Sequence, residues 1–215
     1  MALERAAAWR AWRSFAGASP GTQLFLLGRM AVAPLGPLEP DFKHLSGRVL
    51  SLGCGYGVVD RYVAEINPAV QIEGIELDRT RVDLAAKTED RAPRVRVRYG
   101  DVTLLEEPSG YDAALAIDVF HHIPFDQHER IAAALHRCLR PGAVCLVKEM
   151  GRTPRRQYLW NRLHDRLSTG ERVIYCRDPE EIAEIFIGAG FRVDDSRRVP
   201  RLRLYPQYLV RLTRE

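Results

Sequence analysis

Val49-Leu50-Ser51-Leu52-Gly53-Cys54-Gly55-Tyr56-Gly57 is the stretch whose reading decides the fold. Four residues of strand character run straight into three glycines at alternate positions. The residues beyond Gly57 place Val59, Tyr62, Val63 and Ile66 on one helical face. A strand, a glycine loop and a helix in that order form the opening unit of a parallel α/β sheet. In such sheets ligands collect at the carboxyl ends of the strands. Glycines there let the backbone approach a ligand with no Cβ in the way. The dinucleotide fingerprint GxGxxG needs its third glycine where this chain has Val58, so the GxGxG spacing argues against an NAD-dependent oxidoreductase. It suits a ligand without a pyrophosphate lying across the loop.

Working outward, β-rich runs recur at 48–52, 70–76, 94–99, 111–117 and 143–149, with helical stretches between most of them. A helix begins near Arg79, with Asp78 as its cap. Another is expected from Asp126, with Asp126 and Glu129 as a capping box, Ile131, Leu135, Cys138 and Leu139 at helical spacing, and Pro141-Gly142 as its stop. A further helix starts at Asp178, with Pro179 in the first position, Glu181 closing the box, and Gly188 and Gly190 ending it. The tail from Phe191 to Leu212 reads as two strands around Pro200 and Pro206. Two helices, roughly 3–15 and 22–33, precede the first strand. The predicted fold is α/β: a Rossmann-like three-layer sandwich with N-terminal helices. One domain is expected over 1–215, divided into an N-terminal helical lid (1–46), a cofactor-binding core (47–150), a substrate cap (151–177), and a last helix and strands (178–215).

Two acids follow the loop at matching places. Glu76 falls at the end of the second strand, in Ile72-Glu73-Gly74-Ile75-Glu76-Leu77, where a carboxylate accepts from ribose hydroxyls. Asp101, in Gly100-Asp101-Val102, falls at the end of the third, within reach of an adenine amino group or as a plain turn aspartate.

Composition narrows the class. The chain has 215 residues, 46% hydrophobic and 28% charged, which fits one soluble globular domain. No uncharged apolar run reaches the ~20 residues needed to cross a bilayer. Cys54, Cys138, Cys145 and Cys176 form no CxxC pair, so no metal site is expected, and reduced thiols point to a cytoplasmic protein. The net charge of +4 is unevenly spread. Residues 1–151 hold 18 Lys+Arg against 19 Asp+Glu, whereas 152–177 hold seven arginines against two acids and 192–215 seven against three. These late basic segments are either solvated faces or a surface for an anionic substrate or membrane.

Taken in order, VLSLGCGYG, IEGIELD, YGDV, YDAALAIDVFHHI and LHRCLRPGAVCLVKEMG resemble class I S-adenosylmethionine-dependent methyltransferases of the small-molecule type over about residues 47–150, and AGF at 189–191 extends the likeness loosely to 178–212. The resemblance implies a mostly parallel seven-stranded sheet with the last strand antiparallel, and S-adenosylmethionine as cofactor. It implies Gly53, Cys54, Gly55 and Gly57 under the methionine part, Glu76 and Leu77 at the ribose, Asp101 and Val102 at the adenine, and Asp118 and Val119 beside the methyl group. Many of the resembling proteins carry an acid where this chain has Ser51, a residue that helps hold the methionine amino group.

On the acceptor side, an alcohol or phenol needs a base. His121 and His122 follow the fourth strand and Glu149 ends the fifth, so these three are the candidate catalytic residues; Lys148 reads as structural. Arg155, Arg156, Tyr158, Trp160, Arg162 and His164 mark the cap, on a helix whose Leu159, Leu163 and Leu167 are spaced to pack inward. The expected partner is a small acceptor, hydrophobic and either anionic or lipid-like, with O-methylation favoured and peripheral membrane contact through the N-terminal aromatics and the basic segments. A nucleic-acid substrate is not expected, because Asp118-Val119-Phe120-His121 lacks the paired prolines of base-amine methylation and no RNA-binding module is attached. A non-enzymatic S-adenosylmethionine-binding module is the alternative.

Overall fold

The strand that enters the glycine loop, β1 (Gly47–Leu52), lies inside a seven-stranded sheet. The computed structural model describes residues 3–105, 110–168, 173–199 and 205–215, with backbone alone for 164–168. The other strands are β2 (Val70–Glu76), β3 (Val95–Tyr99), β4 (Tyr111–Ile117), β5 (Leu139–Met150), β6 (Phe191–Arg198) and β7 (Gln207–Arg214), in the order β3-β2-β1-β4-β5-β7-β6. β1 pairs in parallel with β2 and β4, β2 with β3, and β4 with β5, while β7 runs antiparallel to both β5 and β6. The sandwich and its antiparallel last strand are as expected from the sequence. The tail forms two strands, β7 starting directly after Pro206; Pro200 lies outside the described residues.

Side chains alternate between two apolar cores, as the pleat requires. Val49, Ala113, Leu115 and Ile117 join one core; Leu50, Leu52, Ala114 and Ala116 join the other. The first core is closed by α1 (Arg5–Arg13), α2 (Pro20–Val32), α3 (Leu35–Lys43) and α4 (Val58–Ile66), the second by α6 (Phe125–Cys138) and α8 (Pro179–Gly188). α4 buries Val59, Tyr62, Val63 and Ile66, the face its spacing marks. Its Arg61 is buried too. That guanidinium donates to the Ser14 hydroxyl and the Thr88 hydroxyl, both at 2.7 Å, and lies 4.2 Å from the Phe15 ring centre. It thereby ties the N-terminal segment to the segment after α5 (Arg79–Ala86). Asp78 caps α5, its Oδ1 accepting from Thr80 N–H at 2.8 Å.

Three local expectations need correction. α3 lies where the sequence reading places no helix; Leu35, Leu38 and Phe42 share one buried face, Pro37 sits in the first turn, where a missing N–H costs nothing, and Pro40 is held inside the helix by that packing. α6 begins at Phe125 rather than Asp126, and Asp126 caps nothing. Phe125 packs on His128 and Tyr175 beneath the Arg177 guanidinium within the first turn, and the N-cap is Pro124, so Asp126 lands two positions too late for a capping box. On α7 (Arg155–Ser168), Leu159 and Leu163 are exposed and Asn161 is buried instead, so the leucine spacing marks an outward stripe; the side chains of His164 and Leu167 are outside the described residues. α8 follows expectation, with Pro179 in its first position and Asp178 N–H donating to Glu181 Oε2 at 2.8 Å.

Candidate functional site

The strand order reverses between β1 and β4, so the crevice beyond their carboxyl ends is the topological switch point of the sheet. Register then decides which residues meet there. Leu52 lies beside Ile75 and Ala116, which brings Gly53 next to Glu76 on one side and to Ile117, the residue before Asp118, on the other. Ile117 lies beside Lys148, which brings Asp118 next to Glu149.

On the β1 side the chain turns through Gly53, Gly55 and Gly57, with φ of 55°, 61° and 76°. A Cβ on Gly53 would stand 2.3 Å from the Val119 side chain, so only glycine lets the loops after β1 and β4 touch. A Cβ on Gly55 would meet nothing within 4 Å: its face is open. Gly55 N–H donates to Glu76 Oε2 and Asp78 N–H to Glu76 Oε1, at 2.8 and 2.9 Å, so the buried Glu76 is held by two backbone donors and keeps free lone pairs on each oxygen. Leu77 beside it is 60% exposed. Asp101 accepts from the backbone N–H and hydroxyl of Thr103 at 2.8 and 2.7 Å, organising the turn in which Val102 is buried.

On the β4 side Asp118 has φ 56°, a left-handed conformation held by three contacts. Its N–H donates to Lys148 O at 2.8 Å, its Oδ1 accepts from the Lys148 ammonium, and its Oδ2 accepts from Arg29 of α2 at 2.6 Å. Burial pushes the Asp118 carboxyl upward, but Lys148 first and Arg29 next outweigh it, and the group ionises well below the usual carboxylate range. Burial pulls Lys148 down from its ordinary value, against the pull of Asp118. Lys148 is thus structural, as its position in the sequence implies.

Glu149 turns away from the crevice. Its Oε1 accepts from Val119 and Phe120 N–H at 2.7 and 2.6 Å, and its Oε2 lies 2.6 Å from His121 Nδ1. Burial raises the Glu149 carboxyl; the His121 charge and hydrogen bond lower it further than burial raises it. A carboxylate in that contact fixes the imidazole tautomer, with the proton on Nδ1. Glu149 therefore stands behind His121 as its orienting partner, and the geometry does not place it as a base of its own. Asp118, His121 and Glu149 have ligating atoms within 4.8 Å of one another, the donor types of a divalent-metal site. Their oxygens, however, already accept from Lys148, Arg29, His121 and two backbone N–H groups.

These two sides face each other across a cavity of about 280 Å³. Ser51, Gly53, Cys54, Gly55, Asp118, His121 and His122 line it; Gly57, Glu76, Leu77, Asp101, Val102, Val119 and Glu149 do not. Its apolar wall is Phe25, Leu26, Val32, Ile117 and Met150. Three charged lining residues were missed in the sequence: Arg29, Asp60 and Arg81. Arg29 is 89 residues from its partner Asp118, and no local pattern announces such a pair. Asp60 sits in the first turn of the helix after the glycine loop, where an acid reads as a complement to the helix dipole.

Curated relatives match about half of the chain. They include a malonyl-[acyl-carrier protein] O-methyltransferase of Halalkalibacterium halodurans, 28% identical over 115 residues, which cover 52% of this chain and 42% of that protein. An uncharacterized protein of Synechococcus sp. is 29% identical over 117 residues, 51% of this chain and 28% of that one. The chain thus spans less than half the length of the curated relatives it matches. Among solved structures, the mitomycin 7-O-methyltransferase MmcR superposes with a TM-score of 0.72 at 21% identity, covering 95% of this chain and 60% of that one. The [4+2]-cyclase SpnF superposes with 0.66 at 23%, covering 84% and 79%. A cyclase and a methyltransferase on one architecture show the fold and leave the reaction to the site. The family profile described as Methyltransferase domain matches residues 5–196, nearly the whole of the two-sided crevice and its helices, and the chain belongs to that family.

Proposed function

We propose that this protein binds S-adenosylmethionine across the glycine loop and transfers its methyl group to a hydroxyl of a small hydrophobic or lipid-like acceptor. The observation that carries the reading is the buried Glu149–His121 pair at the edge of a largely apolar cavity. The cofactor supplies an electrophilic methyl on a sulfonium. The chain's own work is to align an acceptor near it, exclude water and take one proton. Gly53 and Gly55 bring backbone close to the methionine part, Glu76 accepts from the ribose, and Asp101 and Val102 border the adenine. Phe25, Leu26 and Val32 of α2 exclude water, and His121, with its proton on Nδ1, offers Nε2 as the base. His122, exposed and 4.0 Å from the His121 ring, stands at the entrance.

Incubation with S-adenosylmethionine labelled in the methyl group, against phenols and hydroxylated lipids, tests the reading. Label is expected in an alkali-stable ether. Binding of S-adenosylhomocysteine with no transfer to any acceptor would leave a binding module in place of an enzyme.

A lipid-like acceptor and contact with an anionic membrane are favoured by two exposed stripes. Leu24 and Leu27 on α2 are 70% and 51% exposed, on the helix that also walls the cavity. On α7, Leu159, Trp160 and Leu163 are exposed alongside Arg155, Arg156 and Arg162. No helix among the described residues is long and apolar enough to cross a membrane. Co-flotation with vesicles containing anionic lipid is expected at low salt and is expected to fall several-fold in a Leu24→Ser/Leu27→Ser variant. No co-flotation by the wild type would exclude the membrane contact.

A further inference from the structure

Asp60 is a buried charge that the network around Asp118 does not use. It is 2% exposed, in the first turn of α4, and it lines the cavity. Its Oδ1 accepts from the Ser51 hydroxyl at 2.8 Å. Its Oδ2 is buried and has no hydrogen-bond partner among the described residues. The neighbouring cation, Arg61, is turned away toward Ser14, Ala85 and Thr88. On the β2 side the free oxygen packs against Gly74: a Cβ there would stand 3.2 Å from it and 2.5 Å from Cys54 Sγ, so only glycine fits beneath these two groups, and it offers the oxygen no side-chain donor.

An unpaired buried carboxylate is costly. The cost shows in the carboxyl itself, pushed up to about 6 by burial, with the Ser51 hydrogen bond and the Arg61 charge acting the other way. The N-terminus of α4 also favours the charge, but none of these supplies a hydrogen bond to Oδ2. An oxygen left without a partner on a residue that lines a cavity is matched by an incoming donor, and a charged donor compensates burial more than a neutral one.

S-adenosylmethionine carries several candidate groups. The adenine amino group and the ribose hydroxyls are neutral donors, and the sulfonium has no hydrogen to donate. The ammonium of its methionine part combines positive charge with N–H donors. We propose that Asp60 binds this ammonium through Oδ2, while Ser51 holds the carboxylate in place by Oδ1. The acid that resembling proteins carry at the position of Ser51 is here supplied from the facing helix, through the serine. The assignment rests on the cofactor reading above.

Calorimetric titration of the full chain with S-adenosylhomocysteine and with 5′-methylthioadenosine, which lacks the amino-acid part, separates the two claims. Asp60→Asn is expected to weaken S-adenosylhomocysteine at least tenfold and to leave 5′-methylthioadenosine within twofold. Equal loss for both ligands, or loss for neither, overturns the assignment to Asp60. On the wild type alone, the deaminated analogue of S-adenosylhomocysteine must bind at least tenfold more weakly than the parent; equal affinity overturns the proposal without any variant. A wild type that binds neither nucleoside fails the cofactor reading itself. The ligand-free Asp60→Asn protein is expected to melt at or above the wild-type temperature, because an unpaired charge is removed, whereas a purely structural carboxylate would lower it.

Discussion

Glu149→Gln is expected to lower methyl transfer by about 10²- to 10⁴-fold with S-adenosylhomocysteine affinity nearly unchanged, the loss that removal of a general base brings. The reason lies in what each atom of residue 149 can do. A carboxylate only accepts, so Val119 and Phe120 N–H satisfy Oε1, and Oε2 demands the proton of His121 Nδ1. Nε2 is then the basic nitrogen. Glutamine keeps one carbonyl oxygen for the two backbone donors and turns its amide NH₂ toward Nδ1. The imidazole answers with the other tautomer, and its proton moves to Nε2. The ring stays in place and the base is gone. Nitrogen NMR of His121 should show the exchange of tautomers directly, independent of any acceptor. A variant with wild-type turnover would remove His121 from the mechanism.

Asp118→Asn should cost about 3–5 kcal/mol of stability, read from urea unfolding. Two cations converge on this carboxylate, and they differ in what they can do without it. Arg29 is 27% exposed and can turn to water; Lys148 is fully buried and cannot. The penalty is the stranded ammonium, so a double variant Asp118→Asn/Lys148→Met is expected to recover most of it. The pH dependence has a definite sign. The folded-state pKa of Asp118 is depressed, so its contribution is complete above the unfolded value near 4 and drains away as pH falls through the lower folded value. The wild type should therefore lose stability steeply below about pH 4, and the asparagine variant less steeply. A single variant within 1 kcal/mol of wild type would mean that the Lys148–Asp118 pair does not hold the end of β4.

What could be read from the chain follows the range of the forces involved. The sheet is legible because the central strands carry their own apolar runs and the glycine loop its own geometry; these are local properties. The positions of Glu76 and Asp118 at strand ends are legible for the same reason, though only Asp118 lines the cavity. The helix over Leu35–Lys43 was obscured by three prolines, although its buried positions 35, 38 and 42 keep helical spacing. Arg29 and Asp60 became visible only in three dimensions. One is joined to Asp118 by a contact 89 residues distant, and the other gains its meaning from a serine nine residues earlier and from Gly74, on which its carboxylate packs. The sequence offers Glu149 as a possible base, but its direction depends on the N–H groups of Val119 and Phe120, which one-dimensional spacing does not orient.

The cofactor claim is tested most directly by titrating the intact protein with S-adenosylhomocysteine in a calorimeter, beside Glu76→Ala. Saturable one-site binding that weakens at least tenfold in the variant is the predicted result. A folded wild type that evolves no binding heat at any temperature tried, and shows no thermal stabilisation by the ligand, would contradict the account at its base.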